Sequence, residues 1–372
     1  MSHDAIIADP GCLDRLFSEV KERGYRPIGP TVRDDAIVLD ELESAAELPV
    51  GWTERQEAGS YRLERRQDAA RFGHTVGPQS FKRYLFPPKL KLWGANRVDA
   101  GFEVERNDSE LPRYAFIGVR PCELKALEIQ DRVFMGERHV DPNYAGLRDH
   151  AFIVTVNCAE AAATCFCSSM DSGPRAEAGF DLALTEMIDG SRHEILIEAG
   201  SDKGHELAGA LGGRAANAEE IERAREVSAK TAGSMERRVE TEGLHDELMD
   251  NLNHPRWDEV AERCLACANC TMVCPTCFCS DVEDVSDLSG DHSERWRHWD
   301  SCFTAAHSYI HGGNMRPTIR SRYRQWLTHK FATWIDQFGT SGCTGCGRCI
   351  TWCPAAIDLT EELAAIRAVA KP

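Results

Sequence analysis

The sequence predicts an N-terminal α/β domain with a largely parallel sheet, followed by a mainly helical C-terminal domain built around cysteine. Three observations predict it. Short apolar strands alternate with turn and helix signals between residues 114 and 197. Apolar residues at helical spacing lead into a dense run of cysteines near residue 264. The spacing of that run is repeated close to the C-terminus, near residue 343.

The strands are read in order. Tyr114 to Val119 (YAFIGV) is a short buried strand, and the helical stretch Cys122 to Ile129 follows it. Phe152 to Val156 (FIVTV) is a second, Leu182 to Thr185 a third and Glu194 to Ile197 a fourth. Residues 1–205 are assigned to this α/β domain, although the first 80 add little beyond mixed helix and loop. Glu219 to Asn251 carries interspersed acids and bases and no proline. It reads as solvent-facing helix within a charged linker, residues 206–255. His254-Pro255 breaks it, and Trp257, Val260, Ala261 and Cys264 open the C-terminal domain, residues 256–372.

Sixty acidic against 43 basic residues leave a net charge of −17, which argues against nucleic acid as a partner. The longest apolar run near a strand, residues 151–156, is far short of the ~20 residues of a membrane helix. The N-terminus MSHDAIIADPGC lacks the apolar core of a secretory signal. A soluble, cytoplasmic protein is expected. Its 16 cysteines then point to metal or redox chemistry, because cytosolic thiols are kept reduced.

Cys264-x2-Cys267-x2-Cys270-x3-Cys274-Pro275 and Cys343-x2-Cys346-x2-Cys349-x3-Cys353-Pro354 share the bacterial ferredoxin spacing. Three cysteines at two-residue intervals wrap one face of a cubane. The fourth begins the next turn of chain, points away, and ligates the other cluster. The spacing therefore predicts one [4Fe–4S] cluster on Cys264, Cys267, Cys270 and Cys353. A second falls on Cys274, Cys343, Cys346 and Cys349. A pair of zinc ribbons would use CxxC pairs instead. Sixty-eight residues lie between the motifs with helical-looking flanks, and Gly342, Gly345 and Gly347 allow close backbone approach and N–H···S bonds.

Cys122 and Cys158 each follow a strand directly, and Cys165 and Cys167 lie a few residues further on (TCFC). Parallel strands bind ligands at their carboxyl ends, so these four thiols are expected to converge on a third metal site. A [4Fe–4S] cluster is preferred there over zinc. Cys12, Cys277, Cys279 and Cys302 remain. Thr164-Cys-Phe-Cys-Ser168 recurs as Thr276-Cys-Phe-Cys-Ser280. Cys277, Cys279 and Cys302 could hold a metal with Asp281, Asp300 or His307, but are favoured as core or cluster-flanking residues. His292, His298, His307 and His311 read as surface residues, and the acid-free stretch from Ser301 to Lys330 as a solvated basic face or a docking surface for a partner. No flavin, nicotinamide or phosphate-loop fingerprint occurs; Gly209-Ala-Leu-Gly212-Gly213 has the wrong spacing. A chain of one-electron carriers lacking a two-electron centre has to pass electrons between partners.

The chain resembles the beta subunit of soluble NAD(P)-linked [NiFe] hydrogenases (sulfhydrogenase, or hydrogenase/sulfur reductase), together with the A-type electron-transfer subunit of anaerobic sulfite reductase. The resemblance runs from about Ser80 to the C-terminus. It is carried by GVRPCE (Gly118 to Glu123), Asn157-Cys158 with TCFCSSM, Gly173-Pro174, FDLALTE (Phe180 to Glu186), CLACANCTMVCPTCFC (Cys264 to Cys279), WDSCF (Trp299 to Phe303), RYRQWLTHKF (Arg322 to Phe331) and CTGCGRCITWCP. Asp171-Ser172 departs from a Gly-Thr pattern, a local loop change. The resemblance implies a non-catalytic electron-transfer subunit linking a flavin/NAD(P)-binding subunit to the small subunit beside a NiFe large subunit. The sulfite reductase branch would feed a sirohaem subunit instead. Reduction of sulfur or polysulfide by the chain itself is a further reading.

Overall fold

The computed structural model describes residues 5–106, 110–136 and 139–369. Residues 1–4 and 370–372, the outermost ends of the expected domains and the start of the N-terminal stretch, lie outside the described residues. Its centre is an eight-stranded sheet in the order Arg214–Ala215, Ile6–Ala8, Arg192–Ala199, Leu182–Asp189, Phe152–Val156, Tyr114–Val119, Arg26–Arg33, Ala36–Glu41. Tyr114–Val119 and Phe152–Val156 fall where the apolar runs place them. They are buried along almost their whole length, as strands covered on both faces must be.

The sheet is mixed, which corrects the largely parallel expectation. Its four central strands run parallel, and the flanking pairings are antiparallel. The cause is local. Asp189 pairs with Arg192, leaving Gly190 (φ +56°) and Ser191 as a two-residue turn. Arg33 pairs with Ala36 across Asp34 and Asp35, both at positive φ. Two residues can close a hairpin, whereas a parallel crossover needs about a dozen.

Helices cover both faces. Leu13, Leu16, Phe17 and Val20 of helix Cys12–Glu22 pack on Ile117, Val154, Val156 and Leu184. On the other face, Leu124 and Leu127 of helix Pro121–Phe134 pack on Phe116, Val119 and Ile153. Helix Ala218–Gly233 also lies there, with Ile221, Ala224 and Val227 against Ile7, Met187 and Leu196. The stretch read as one solvent-facing helix is therefore this docked helix, a non-helical passage, and Leu244–Asp250. Its apolar stripe is narrow and hidden among charges.

Toward the C-terminus the helices Arg256–Arg263, Ile319–Thr328 and Leu359–Val369 surround the cysteine loops through Trp257, Val260, Tyr323, Trp326, Leu327, Leu363 and Ile366. The passage between the two cysteine motifs is not helical throughout. Ser280–Ser286 and His292–Trp299 form a hairpin whose second strand pairs with Lys89–Val98, itself paired with Gly101–Arg106. One four-stranded antiparallel sheet thus draws strands from both ends of the sequence.

Candidate metal centres

Each CxxCxxC loop needs left-handed backbone to curl three cysteines round one point. Ala266 and Ala268 stand at φ +49° and +67°, and Gly345 and Gly347 at the matching positions stand at +63° and +76°. A single turn of helix then begins, Asn269–Met272 in the first loop and Arg348–Thr351 in the second. The curled loops aim backbone N–H groups at sulfur: Ala266 N to Cys264 Sγ, Gly345 N to Cys343 Sγ and Ile357 N to Cys353 Sγ, each at 3.4 Å.

Cys264, Cys267, Cys270 and Cys353 line one apolar cavity with Phe303, Tyr323 and Trp326, and Cys349 reaches its edge. Cys274, Cys343, Cys346 and Cys349 line a second, with Lys330, Thr344 and Leu359. These are the two sets that crossed ligation groups together. Burial and the charges of neighbouring thiols push Cys343 up to about 12 and Cys270 and Cys349 well above the usual thiol range. Such crowded thiols shed their protons when a metal takes them.

The sheet delivers the other quartet. Tyr114–Val119 and Phe152–Val156 run parallel, so Cys122, at the start of helix Pro121–Phe134, and Cys158 emerge at one edge. Cys165 and Cys167 fold back beside them, with Val76, Ala162 and Met235 closing the group. Burial and the nearby Cys167, Cys346 and Cys158 push Cys122 well up. Cys346 is the common neighbour: it crowds Cys122, Cys165 and Cys167 as well as Cys343 and Cys349.

The TCFC loop and the second CxxCxxC loop touch through backbone. Phe166 N donates to Gly345 O at 2.9 Å, Ser172 Oγ to Thr344 O at 2.6 Å, and the Thr164 and Thr351 hydroxyls meet at 2.9 Å. A Cβ at Gly345 would stand 2.7 Å from Cys167 Cα and N, and one at Gly347 2.4 Å from Thr164 O. Close backbone approach, expected of these glycines, is what the structure has.

Buried cations ring the thiols. Arg348, 1% exposed, pairs with Glu123 at 2.8 Å and donates to Gly77 O and Gln79 O. Arg120 is fully buried and donates to Phe72 O, while its charge opposes the burial that raises Cys158. Among the described residues, Arg120 Nε and Nη1 and Arg348 Nη1 have no oxygen acceptor, and the two guanidinium groups lie near the sulfurs of Cys158 and Cys346. Lys330 Nζ donates to Thr276 Oγ1 and Gly342 O, both at 2.9 Å. Burial works against its charge, and Cys274, Cys277 and Cys343 outweigh it and hold the ammonium well up. Lys82 donates to Cys274 O and Cys277 O, and burial pulls it down to about 8. An all-thiol donor set, guanidinium nitrogens without oxygen acceptors and N–H···S bonds fit an anionic iron–sulfur cluster. Among the described residues, no three Cys, His, Asp or Glu side chains crowd closely enough to share a single metal ion.

The remaining cysteines are placed as follows. Cys12 is buried in the sheet core and pushed up to about 12 by burial. Cys277 hydrogen-bonds Cys274. Cys279 and Cys302 meet at the open end of the Ser280–Trp299 hairpin, hydrogen-bonded to each other. His307 joins them, corrected from its expected surface role: its Nδ1 lies 2.7 Å from Asp300 Oδ2, and the ring also bonds Cys279. Asp281 stays exposed on the hairpin. The basic stretch is not a free face either. Arg320 pairs with Asp258, Arg322 donates to Phe303 O and Arg316 O, Arg324 to Leu252 O, and Lys330 is buried.

Fold and thiol sets together define an iron–sulfur electron-transfer protein. In agreement, residues 263–357 match the family described as the 4Fe-4S dicluster domain, so the chain carries [4Fe–4S] clusters. Over 359 residues, 95% of this chain and 95% of the relative, it is 31% identical to Sulfhydrogenase 2 subunit beta of Pyrococcus furiosus. The chain belongs to the sulfhydrogenase beta-subunit family. No solved structure matches it. No described helix is long and apolar enough to cross a membrane.

Proposed function

We propose that this chain is the internal wire of a cytoplasmic, hetero-oligomeric [NiFe] hydrogenase, relaying electrons between two partners, a flavin/NAD(P) subunit on one side with the hydrogenase small subunit on the other. Three [4Fe–4S] clusters are assigned. Cys264, Cys267, Cys270 and Cys353 hold one, Cys274, Cys343, Cys346 and Cys349 a second, and Cys122, Cys158, Cys165 and Cys167 a third. Residues 1–205 supply the third set, residues 256–372 the first two, and residues 206–255 connect them. The clusters supply one-electron transfer; no flavin or nicotinamide site is assigned to this chain.

The observation that carries the reading is the continuity of the thiol sets. Cys346 stands against the N-terminal quartet, and Cys349 reaches the cavity of the first set. No set is isolated from the next. Arg120, Arg348 and Lys330 hold positive charge beside the thiolates, and apolar side chains line the cavities of the first two sets. Partners belong to the reading because Sulfhydrogenase 2 subunit beta is by its name one subunit of a larger enzyme.

The test is made on the whole chain in its complex, under anaerobic conditions. This chain alone should account for about twelve of the irons, with matching labile sulfide, so the complex is expected to lose about four irons in Cys165→Ser. In Cys346→Ser, with loss of the cluster verified by EPR, hydrogen-dependent NAD(P) reduction collapses. NAD(P)H-driven dye reduction and hydrogen-driven dye reduction both survive. A coupled rate at the wild-type level with that cluster gone refutes the relay.

A further inference from the structure

The thiol pair left outside the three sets is built for chemistry of its own. Cys279 ends the CPTCFC run and Cys302 ends WDSC, and the hairpin pairing of Ser280 with Trp299 brings the two ends together. Asp300 N donates to Cys279 O at 2.9 Å, fixing the approach. Cys279 sulfur then receives the Cys302 thiol, the His307 ring and the Cys302 backbone N–H. Those donors, with Cys302 first, hold it below the usual thiol range against the effect of burial. Asp300 orients His307 at 2.7 Å and is itself held by Ser301 N and by Thr304 Oγ1 at 2.8 Å. Both cysteines are only half-buried. A thiolate, a second thiol in contact and a carboxylate-oriented histidine are the parts of a nucleophilic thiol site.

We propose that Cys279 and Cys302 form a thiol–disulfide exchange centre that takes small disulfides, with Cys279 attacking and Cys302 resolving. The Cys279 thiolate attacks one sulfur of R–S–S–R, forming Cys279–S–S–R and releasing R–S⁻. His307, which holds the proton that Cys279 has lost, gives it to this leaving thiolate. Cys302 then attacks the Cys279 sulfur, forming the Cys279–Cys302 bond and releasing a second R–S⁻, which takes the Cys302 proton. Two cysteines lose two electrons, and one disulfide becomes two R–SH. A small dithiol reverses the exchange. The centre goes beyond the relay and does not depend on it.

The test treats the anaerobic holo-chain with 2-hydroxyethyl disulfide and maps its peptides without reduction. A Cys279–Cys302 cross-link is expected with the iron content unchanged. Cys302→Ser is expected to stop at a mercaptoethanol adduct on Cys279, and His307→Asn to slow that adduct roughly tenfold. Dye-coupled electron transfer, read separately, reports on the relay alone. If the Ser variant does not fold, the cross-link in the unaltered chain decides. The proposal is overturned if no cross-link forms while the denatured chain reacts fully. It is equally overturned if Cys279 reacts no faster than buried Cys12, or if iron is lost in step with modification.

Discussion

Replacing Gly345 by alanine separates two costs that usually come together. Position 345 has φ +63°, and its counterpart in the first loop is already an alanine, Ala266, at φ +49°. The left-handed backbone alone costs an alanine ~1–2 kcal/mol, and the first loop bears it. At 345 a Cβ would also stand 2.7 Å from Cys167 Cα, Cys167 N and Phe166 C. These are backbone atoms with no rotamer to turn aside, so overpacking adds ~1–3 kcal/mol. Gly345→Ala should thus cost ~2–5 kcal/mol in all, a large part of a typical ~5–15 kcal/mol. Ala266→Gly relieves strain but gains unfolded-chain freedom worth ~0.5–1 kcal/mol, so its net effect stays within ~1 kcal/mol. The assay is an anaerobic melting scan at one fixed rate, with iron counted before and after. Gly345→Ala should melt well below Ala266→Gly and shed iron first from the second and third sets. Equal melting with full iron would refute the interlock of the two loops.

Three further outcomes are expected. Glu123→Ala takes from buried Arg348 its carboxylate partner and should destabilise by ~3–5 kcal/mol in a denaturant titration; Glu123→Gln, which keeps one hydrogen bond, should cost less. Lys330→Met removes a buried positive charge beside Cys274 and Cys343. At ~10 Å and an effective dielectric of ~20 that charge is worth ~1.7 kcal/mol, so the adjacent cluster should fall by ~70 mV in an EPR-monitored titration. Thr276→Val leaves Lys330 and Gly342 O each short of a partner and should cost ~1–3 kcal/mol by the same denaturant titration, with no change in cysteine count.

Local pattern carried much of this molecule into view. The runs YAFIGV and FIVTV mark strands buried on both faces, and period-independent burial is legible in composition alone. Trp257 and Val260 lead into Cys264 at helical spacing, and that helix ends at the cysteine. The two hairpins that help make the sheet mixed went unread, although Asp34-Asp35 and Asp189-Gly190-Ser191 leave room for a two-residue turn and none for a crossover. Other features were out of reach. The pairing of His292–Trp299 with Lys89–Val98 joins residues about two hundred positions apart, and no local signal encodes a long-range edge contact. His307 looks like any surface histidine until the hairpin sets Asp300 and Cys279 beside it. The arginines after 316 look like a stripe because their acceptors, Asp258 and scattered carbonyls, lie elsewhere in the sequence.

The two ferredoxin-type loops solve one backbone problem with different residues, and the difference follows from their surroundings. Both need positive φ at the same two positions so that three thiols face one cavity. In the first loop Ala266 and Ala268 accept the strain: Leu265 is 67% exposed, Cys267 is exposed, and the two alanines pack only partly buried against the apolar cluster. In the second loop only glycine will do, because Thr164–Cys167 lies within reach of any Cβ. The same contact that excludes a side chain there brings Cys346 against Cys122, Cys165 and Cys167. A residue choice made on steric grounds therefore also sets how near two thiol sets stand. Under the proposed relay, the glycine loop is the internal junction and the alanine loop the end that faces solvent, which orders the three sets in a row rather than in a cluster.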